Sequence, residues 1–187
     1  MIIVANKKRK IEKIIEENPG AYILDVTSSS EQHEGKILSP FYPHGRIPIP
    51  GESKTVTATC VEAIWQGLKV FENDGIDLAM FRNDTMKNIK RTVRKFGKPL
   101  GHQYGVFSKT LLNYEDAKRL IYIPTYKYVL ENVPSVKRSL DKIRTILETR
   151  DVVFLDYNIN PDNADKSKPL SHAELIKMYL EGRYPEE

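Results

Sequence analysis

One cysteine in 187 residues, Cys60, leaves no internal disulfide and suits a reducing compartment. Apolar runs such as Ala21-Tyr22-Ile23-Leu24 and Val152-Val153-Phe154-Leu155 fall far short of the roughly 20 residues that cross a bilayer, so no membrane partner is expected. In MIIVANKKRK the apolar residues precede the basic ones, the reverse of a secretory signal, and the expected location is the cytoplasm. The four histidines, His33, His44, His102 and His172, show no metal-ligand spacing, and neither a metal nor another cofactor is expected. There is no G-x-S-x-G elbow for a nucleophilic serine. The segment 45–55 lacks the GK[ST] ending of a phosphate loop and carries Pro48 and Pro50, which have no N–H to offer a phosphate.

What is present is an ordinary globular composition, 40% hydrophobic and 29% charged, in a chain long enough for one well-buried core. The net charge of +4 permits an anionic partner without requiring one. The pattern predicts a strand at 1–4, then a helix to about residue 17, capped by Asn6, with Ile11, Ile14 and Ile15 facing inward. A buried strand follows at 21–26, and a long proline-bearing loop at 27–57 is of the kind that more often carries function than not. Helices are expected at 59–71, stopped by Asn73-Asp74-Gly75, and at 85–96, capped by Thr85. A third is capped by Asn113 and interrupted at Pro124, and a fourth follows Pro134 to about residue 149. A strand at 151–156, a polar loop at 158–168 and a final helix complete the chain, the last opening on the capping box Ser171 and Glu174 with its staple Leu170 and Leu175. The expected fold is mainly α with a few short β-strands, in a single compact domain over 1–187.

Three groups of residues carry chemistry. In the expected helix TCVEAIWQGLKVF, Glu62, Gln66 and Lys69 fall within about 60° of one another at 3.6 residues per turn, opposite Ile64, Leu68 and Phe71. Such a face is either a working one or the solvated side of an ordinary helix. In the next segment Met86, Ile89, Val93 and Phe96 form an apolar stripe, and Lys87, Lys90, Arg91, Arg94 and Lys95 take the other side with no acid among them. Clustered lysine and arginine supply charge and forked donors for phosphate, or simply a wet basic surface. In SPFYPHGRIPIPG, Phe41 and Tyr42 beside Arg46 are suited to stacking on a flat base, or to pinning the loop to the core. Cys60 is expected to pack as a small hydrophobe.

The order of these features resembles the YbiA-like, or NADAR, superfamily over about residues 38–180. Ser39-Pro40-Phe41-Tyr42-Pro43 matches its serine/aromatic loop, and Glu62, Gln66 and Lys69 match its helix with E-x3-Q-x2-K. Lys90-Arg91 ahead of Phe96-Gly97, Lys127-Tyr128 with Asn132, Thr149 with Leu155-Asp156, and 170–176 resemble further family segments. The chain departs from the family at Ala63 and Ile64, where aromatic residues or histidine are usual, and around Asp162 and Asp165, where a Trp-Gly is missing.

That resemblance implies cleavage of an N-glycosidic bond, in riboflavin-pathway intermediates as in some members or in ADP-ribosylated guanine as in others. It implies Glu62 as acid/base or stabiliser of the sugar cation, and Lys69 as nucleophile or proton donor. Gln66 would orient substrate, Ser39, Phe41, Tyr42 and Trp65 would line the site, Arg46, Lys90, Arg91 and Arg94 would meet phosphate, and Asp156 a ribose hydroxyl. The partner would be a nucleotide-like small molecule or ADP-ribosylated nucleic acid. The alternative is a nucleotide or nucleic-acid binding module without catalysis.

Overall fold

The computed structural model describes residues 1–161 and 169–185. Most of the polar loop expected at 158–168, with Asp162 and Asp165, lies outside the described residues. In chain order the first elements are β1 (Ile2–Asn6), α1 (Ile11–Glu17), β2 (Tyr22–Asp25) and the single turn α2 (His33–Lys36). Next come β3 (Ile47–Pro48), β4 (Thr57–Ala58), α3 (Val61–Gly67), β5 (Lys69–Phe71), a 3-10 turn (Met80–Arg82) and α4 (Val93–Phe96). Then follow β6 (Pro99–Gln103), β7 (Leu111–Leu112), α5 (Tyr114–Ala117), a π-helical turn (Lys118–Tyr122) and α6 (Ile123–Asn132). Helix α7 (Pro134–Leu147), β8 (Val152–Asp156) and α8 (His172–Leu180) complete the described chain. The fold is mainly α with a few short strands. No helix of the described residues is long and apolar enough to cross a membrane.

The chain packs as two compact units, Met1–Ser39 with the chain from Leu130 onward, and Pro40–Val129. In the first, β1, β8 and β2 form a parallel sheet in that order. Central β8 is buried at all five positions, as an uninterrupted Val-Val-Phe-Leu run demands when both faces are covered. Helix α1 meets this sheet through Ile14, which packs on Ala5, Val153 and Leu155. Ile11 and Ile15 stay 40% and 50% exposed, a correction to the expected inward stripe: α1 is only seven residues long, and one isoleucine suffices to seat it. Nor does Asn6 cap it. Asn6 ends β1 and donates to the Tyr157 carbonyl, and the residue before α1 is Lys10.

At the other end of the unit half of the expected capping box forms: Ser171 Oγ accepts from Glu174 N–H at 3.3 Å, while the Ser171 N–H donates to the Asn160 carbonyl at 3.0 Å in place of the Glu174 side chain. The same hydroxyl donates to Asp156 Oδ2 at 2.8 Å, tying α8 to the end of β8. His172 stands between two acceptors, Asp156 Oδ2 at 3.0 Å from Nδ1 and the Val26 carbonyl at 2.9 Å from Nε2, so the ring makes both bonds only when both nitrogens carry protons. Burial pushes the Asp156 carboxyl up, but the His172 charge and hydrogen bond, the Ser171 hydroxyl and the Ala173 N–H outweigh it and hold the group below the usual carboxylate range. A depressed folded value gives stability that is complete above the unfolded carboxylate value of about 3.9 and lost as pH falls through the folded one. Asp156→Asn is therefore expected to cost about 2–3 kcal/mol at neutral pH. Thermal melts from pH 7 to pH 2 check this: the gap between variant and wild type must close at the acid end, and a gap independent of pH refutes the pairing.

The second unit holds two small antiparallel sheets, β3-β4 and β5-β6-β7. Helix α3 is buried along its whole length, Val61 through Gly67. A short helix without a wet side has no solvated face on which to spend Glu62 and Gln66.

Candidate functional site

Helix α3 begins at Cys60, whose Sγ accepts from Ala63 N–H at 3.3 Å. Burial pushes this thiol up to about 11, so it acts as a cap and a packing group rather than as a nucleophile. The helix stops at Gly67, where a Cβ would come within 2.4 Å of the Phe81 ring. Leu68 turns the chain and Lys69 opens β5, which corrects the expected helix over 59–71. Glu62 and Gln66 share one helix; Lys69 reaches their neighbourhood from a strand.

A relay of hydrogen bonds fixes the carboxylate. Glu62 is 8% exposed, and its Oε1 accepts from Gln66 Nε2 at 2.9 Å. Gln66 Oε1 in turn accepts the Arg91 backbone N–H at 3.1 Å, so both ends of the amide are assigned by their partners. The Arg91 guanidinium, buried against the adjoining Phe71 and Phe96 rings at 4.9 and 4.8 Å, is used within the protein. It donates to the carbonyls of Gln66, Lys69 and Gly75 and to Asp74 Oδ2, leaving Nε buried without a partner. This overturns the phosphate role expected of Arg91: its forked donors are committed to the chain ends that frame Gln66 and Lys69.

Further groups gather here. Burial lowers the Lys69 amine below lysine's ordinary value; the Glu62 charge opposes this and Arg91 adds to it. Lys69 pairs across the β5-β6 ladder with His102, which is 1% exposed and stacks on Trp65 with centroids 3.7 Å apart. Burial, with Lys69 nearby, brings the imidazole down to about 3, and neither of its ring nitrogens has a hydrogen-bond partner among the described residues. Trp65 also meets Tyr114 and Tyr122 edge-on at 5.8 and 5.6 Å. The Tyr114 hydroxyl is pushed up by burial and by Glu62, and the buried Lys118 amine stands 5.2 Å over its ring. Lys118 opens the π-helical turn, a distortion frequently found at functional sites. Sequence reasoning missed His102, Tyr114, Lys118 and Tyr122. No local signal marks Lys118, which stands in the charged run Glu115-Asp116-Ala117-Lys118-Arg119.

The other expected site residues are placed as follows. Phe41 packs on the cluster of Cys60, Ala63, Met80 and Ile89, and Lys90 Nζ lies 5.8 Å over its ring. Tyr42 stacks at 4.9 Å with His44, and Arg46 is exposed at a positive φ of 54°. The helix expected at 85–96 is helical only over Val93–Phe96. Asn83 takes the start of that segment into local turns, accepting from Thr85 and donating to the Lys87 carbonyl, and Met86 and Asn88 adopt positive φ. Of its expected apolar stripe, Ile89 is buried and Val93 is 59% exposed; Lys87, Lys90, Arg94 and Lys95 are exposed. Ser39 and Asp156 belong to the first unit. The Asp156 carboxylate is engaged there by Ser171, His172 and the Tyr157 N–H, which corrects the ribose contact expected of it.

A buried carboxylate, a half-buried amine whose ordinary value is lowered and a phenol within reach of the carboxylate's charge form an acid–base set able to move protons and to stabilise a developing cation. Among the described residues no group of three or more His, Cys, Asp and Glu side chains could hold a metal ion. A family model described as a family of unknown function (DUF6939) matches residues 6–176, and the chain belongs to that family. No curated protein matches it.

Proposed function

We propose that this member of the DUF6939 family hydrolyses the N-glycosidic bond of an ADP-ribosyl or phosphorylated nucleoside, with ADP-ribosylated guanine in nucleic acid as the leading substrate. The observation that carries the reading is Glu62: a carboxylate buried at the start of α3, held by Gln66, whose charge acts on both Lys69 and Tyr114. The resemblance of the Glu62, Gln66 and Lys69 pattern to the YbiA-like superfamily supports the same assignment.

In the reaction the bond between the sugar C1′ and the base nitrogen breaks, its electron pair leaving with the base. Glu62 stabilises the positive character left at C1′ and takes the proton of the water that adds there. Lys69 has two routes open to it. As an ammonium it protonates the departing nitrogen; as a neutral amine it attacks C1′, and ring opening of the glycosylamine gives an iminium that water later releases. Trp65 and Phe41 supply apolar and aromatic walls, and the exposed Lys90 and Arg94 meet phosphate.

Incubation with an oligonucleotide carrying ADP-ribosylated guanine, and separately with riboflavin-pathway intermediates, tests the reading. Borohydride added during turnover is expected to trap a covalent adduct at Lys69 that Lys69→Ala abolishes. Product without adduct assigns Lys69 the proton-donor route. Binding without product from either substrate establishes the rival instead, a nucleotide-binding module that uses the acid-free segment around Arg94.

A further inference from the structure

The second unit contains a cavity of about 290 Å³ apart from the Glu62 cluster, near the lower end of the size that small-molecule sites occupy. Pro48, Pro50, Tyr104 and Tyr128 line it with rings, Glu52 lines it too, and the Thr125 hydroxyl already donates to the Ile121 carbonyl. Two glycines let the walls close. At Gly51 a Cβ would come within 2.9 Å of the Tyr104 carbonyl oxygen, and at Gly105 within 2.6 Å of Glu52 Oε1; both have positive φ, 83° and 92°. Glu52 Oε1 then accepts two backbone N–H groups of the β6-β7 turn, from Val106 at 2.6 Å and Phe107 at 3.0 Å. The carboxylate is thereby fixed in place, and among the described residues no hydrogen bond reaches Oε2.

Neither lysine nor arginine is among the residues lining this cavity, and a phosphate placed in it would face the carboxylate unpaired. The lining rings suit a planar ligand, since every nucleobase has a face that stacks on an aromatic side chain. Because Oε1 already balances part of the charge with two amide dipoles, Oε2 needs one further donor rather than a full cation. A base edge bearing an amino or imino N–H is such a donor. The same elements also lead to the Glu62 cluster: β6 runs from His102 toward Tyr104, and the helical stretch from Lys118 and Tyr122 continues to Thr125 and Tyr128. We infer that this cavity is a second binding site, one that holds a nucleobase by its face between tyrosine and proline and by an N–H donated to Glu52.

Titration of the whole chain with guanosine, followed by amide chemical shifts in NMR, tests this. Guanosine at millimolar concentration is expected to perturb Glu52, Tyr104 and Thr125. Glu52→Gln keeps a carbonyl oxygen to accept the Val106 and Phe107 N–H groups but turns an amide toward the ligand, so it is expected to weaken binding by at least about tenfold with an unchanged melting temperature. Tyr128→Leu is expected to weaken it through lost stacking, which keeps the inference testable if Glu52→Gln disturbs the turn. Equal binding of caffeine, which is flat but has no N–H to donate, overturns the edge contact. Tighter binding of propylammonium overturns the base in favour of a cation. Shifts confined to Trp65 and Lys69, or none at all in the folded protein, overturn the site.

Discussion

Replacing Glu62 with glutamine is expected to cut turnover of the N-glycosidic substrate by about 10²–10⁴-fold, the range associated with a positioned acid or base, while the protein stays folded. Glutamine has the shape of glutamate and a carbonyl oxygen that can still accept from Gln66 Nε2, so α3 keeps its internal bond. What is removed is charge. Without it, nothing balances positive character at C1′ and nothing takes the proton of the attacking water. The substitution also leaves an electrostatic signature. Glu62 raises the Lys69 amine against the pull of burial and raises the Tyr114 hydroxyl, so both groups move down when the charge goes. If Lys69 attacks as a neutral amine, residual adduct formation in Glu62→Gln should therefore set in at lower pH than in the wild type. Rate measured across pH, with circular dichroism as the folding control, checks both halves. Turnover equal to wild type removes Glu62 from the chemistry and leaves the binding-module reading.

Features written in contiguous residues were legible in the sequence. The run Val152 to Leu155 forms the buried central strand, Ser171 caps α8, and Asn113 caps α5. Glu62 and Gln66, one turn apart, meet as helical spacing requires. The errors arose where a distant partner or a local side-chain bond decided the backbone. Nothing near Gly67 in sequence announces Phe81, against which α3 ends, so Lys69 was read one element too early. Thr85 looked like a helix cap, but Asn83 captures it in a turn, and the basic run 87–95 lies mostly outside regular helix. His102 and Tyr114 draw their character from Trp65, Lys69 and Glu62, which reach them through strand pairing and packing. No spacing rule in the sequence around either one encodes that meeting.

The reassigned Arg91 carries the largest expected effect on stability. Arg91→Met lays an apolar chain of similar length against Phe71 and Phe96, yet leaves the carbonyls of Gln66, Lys69 and Gly75 without their donor. A buried acceptor stripped of its partner costs about 1–3 kcal/mol, so a total loss of about 3–5 kcal/mol is expected. For a chain of this length each kcal/mol moves the melting temperature by roughly 2–4 °C, which places the drop at roughly 6–20 °C. Arg91→Lys restores one charge without the fork and should recover only part of it. The backbone N–H that holds Gln66 survives both substitutions, so activity per folded molecule should fall less than stability does, provided Gln66 keeps its place. A phosphate-binding arginine would behave in the opposite way, raising KM strongly with little change in melting temperature. Melting curves and steady-state kinetics on the same two variants separate these outcomes, because a guanidinium bonded to three carbonyls cannot leave them for substrate without exposing the turn that carries Lys69.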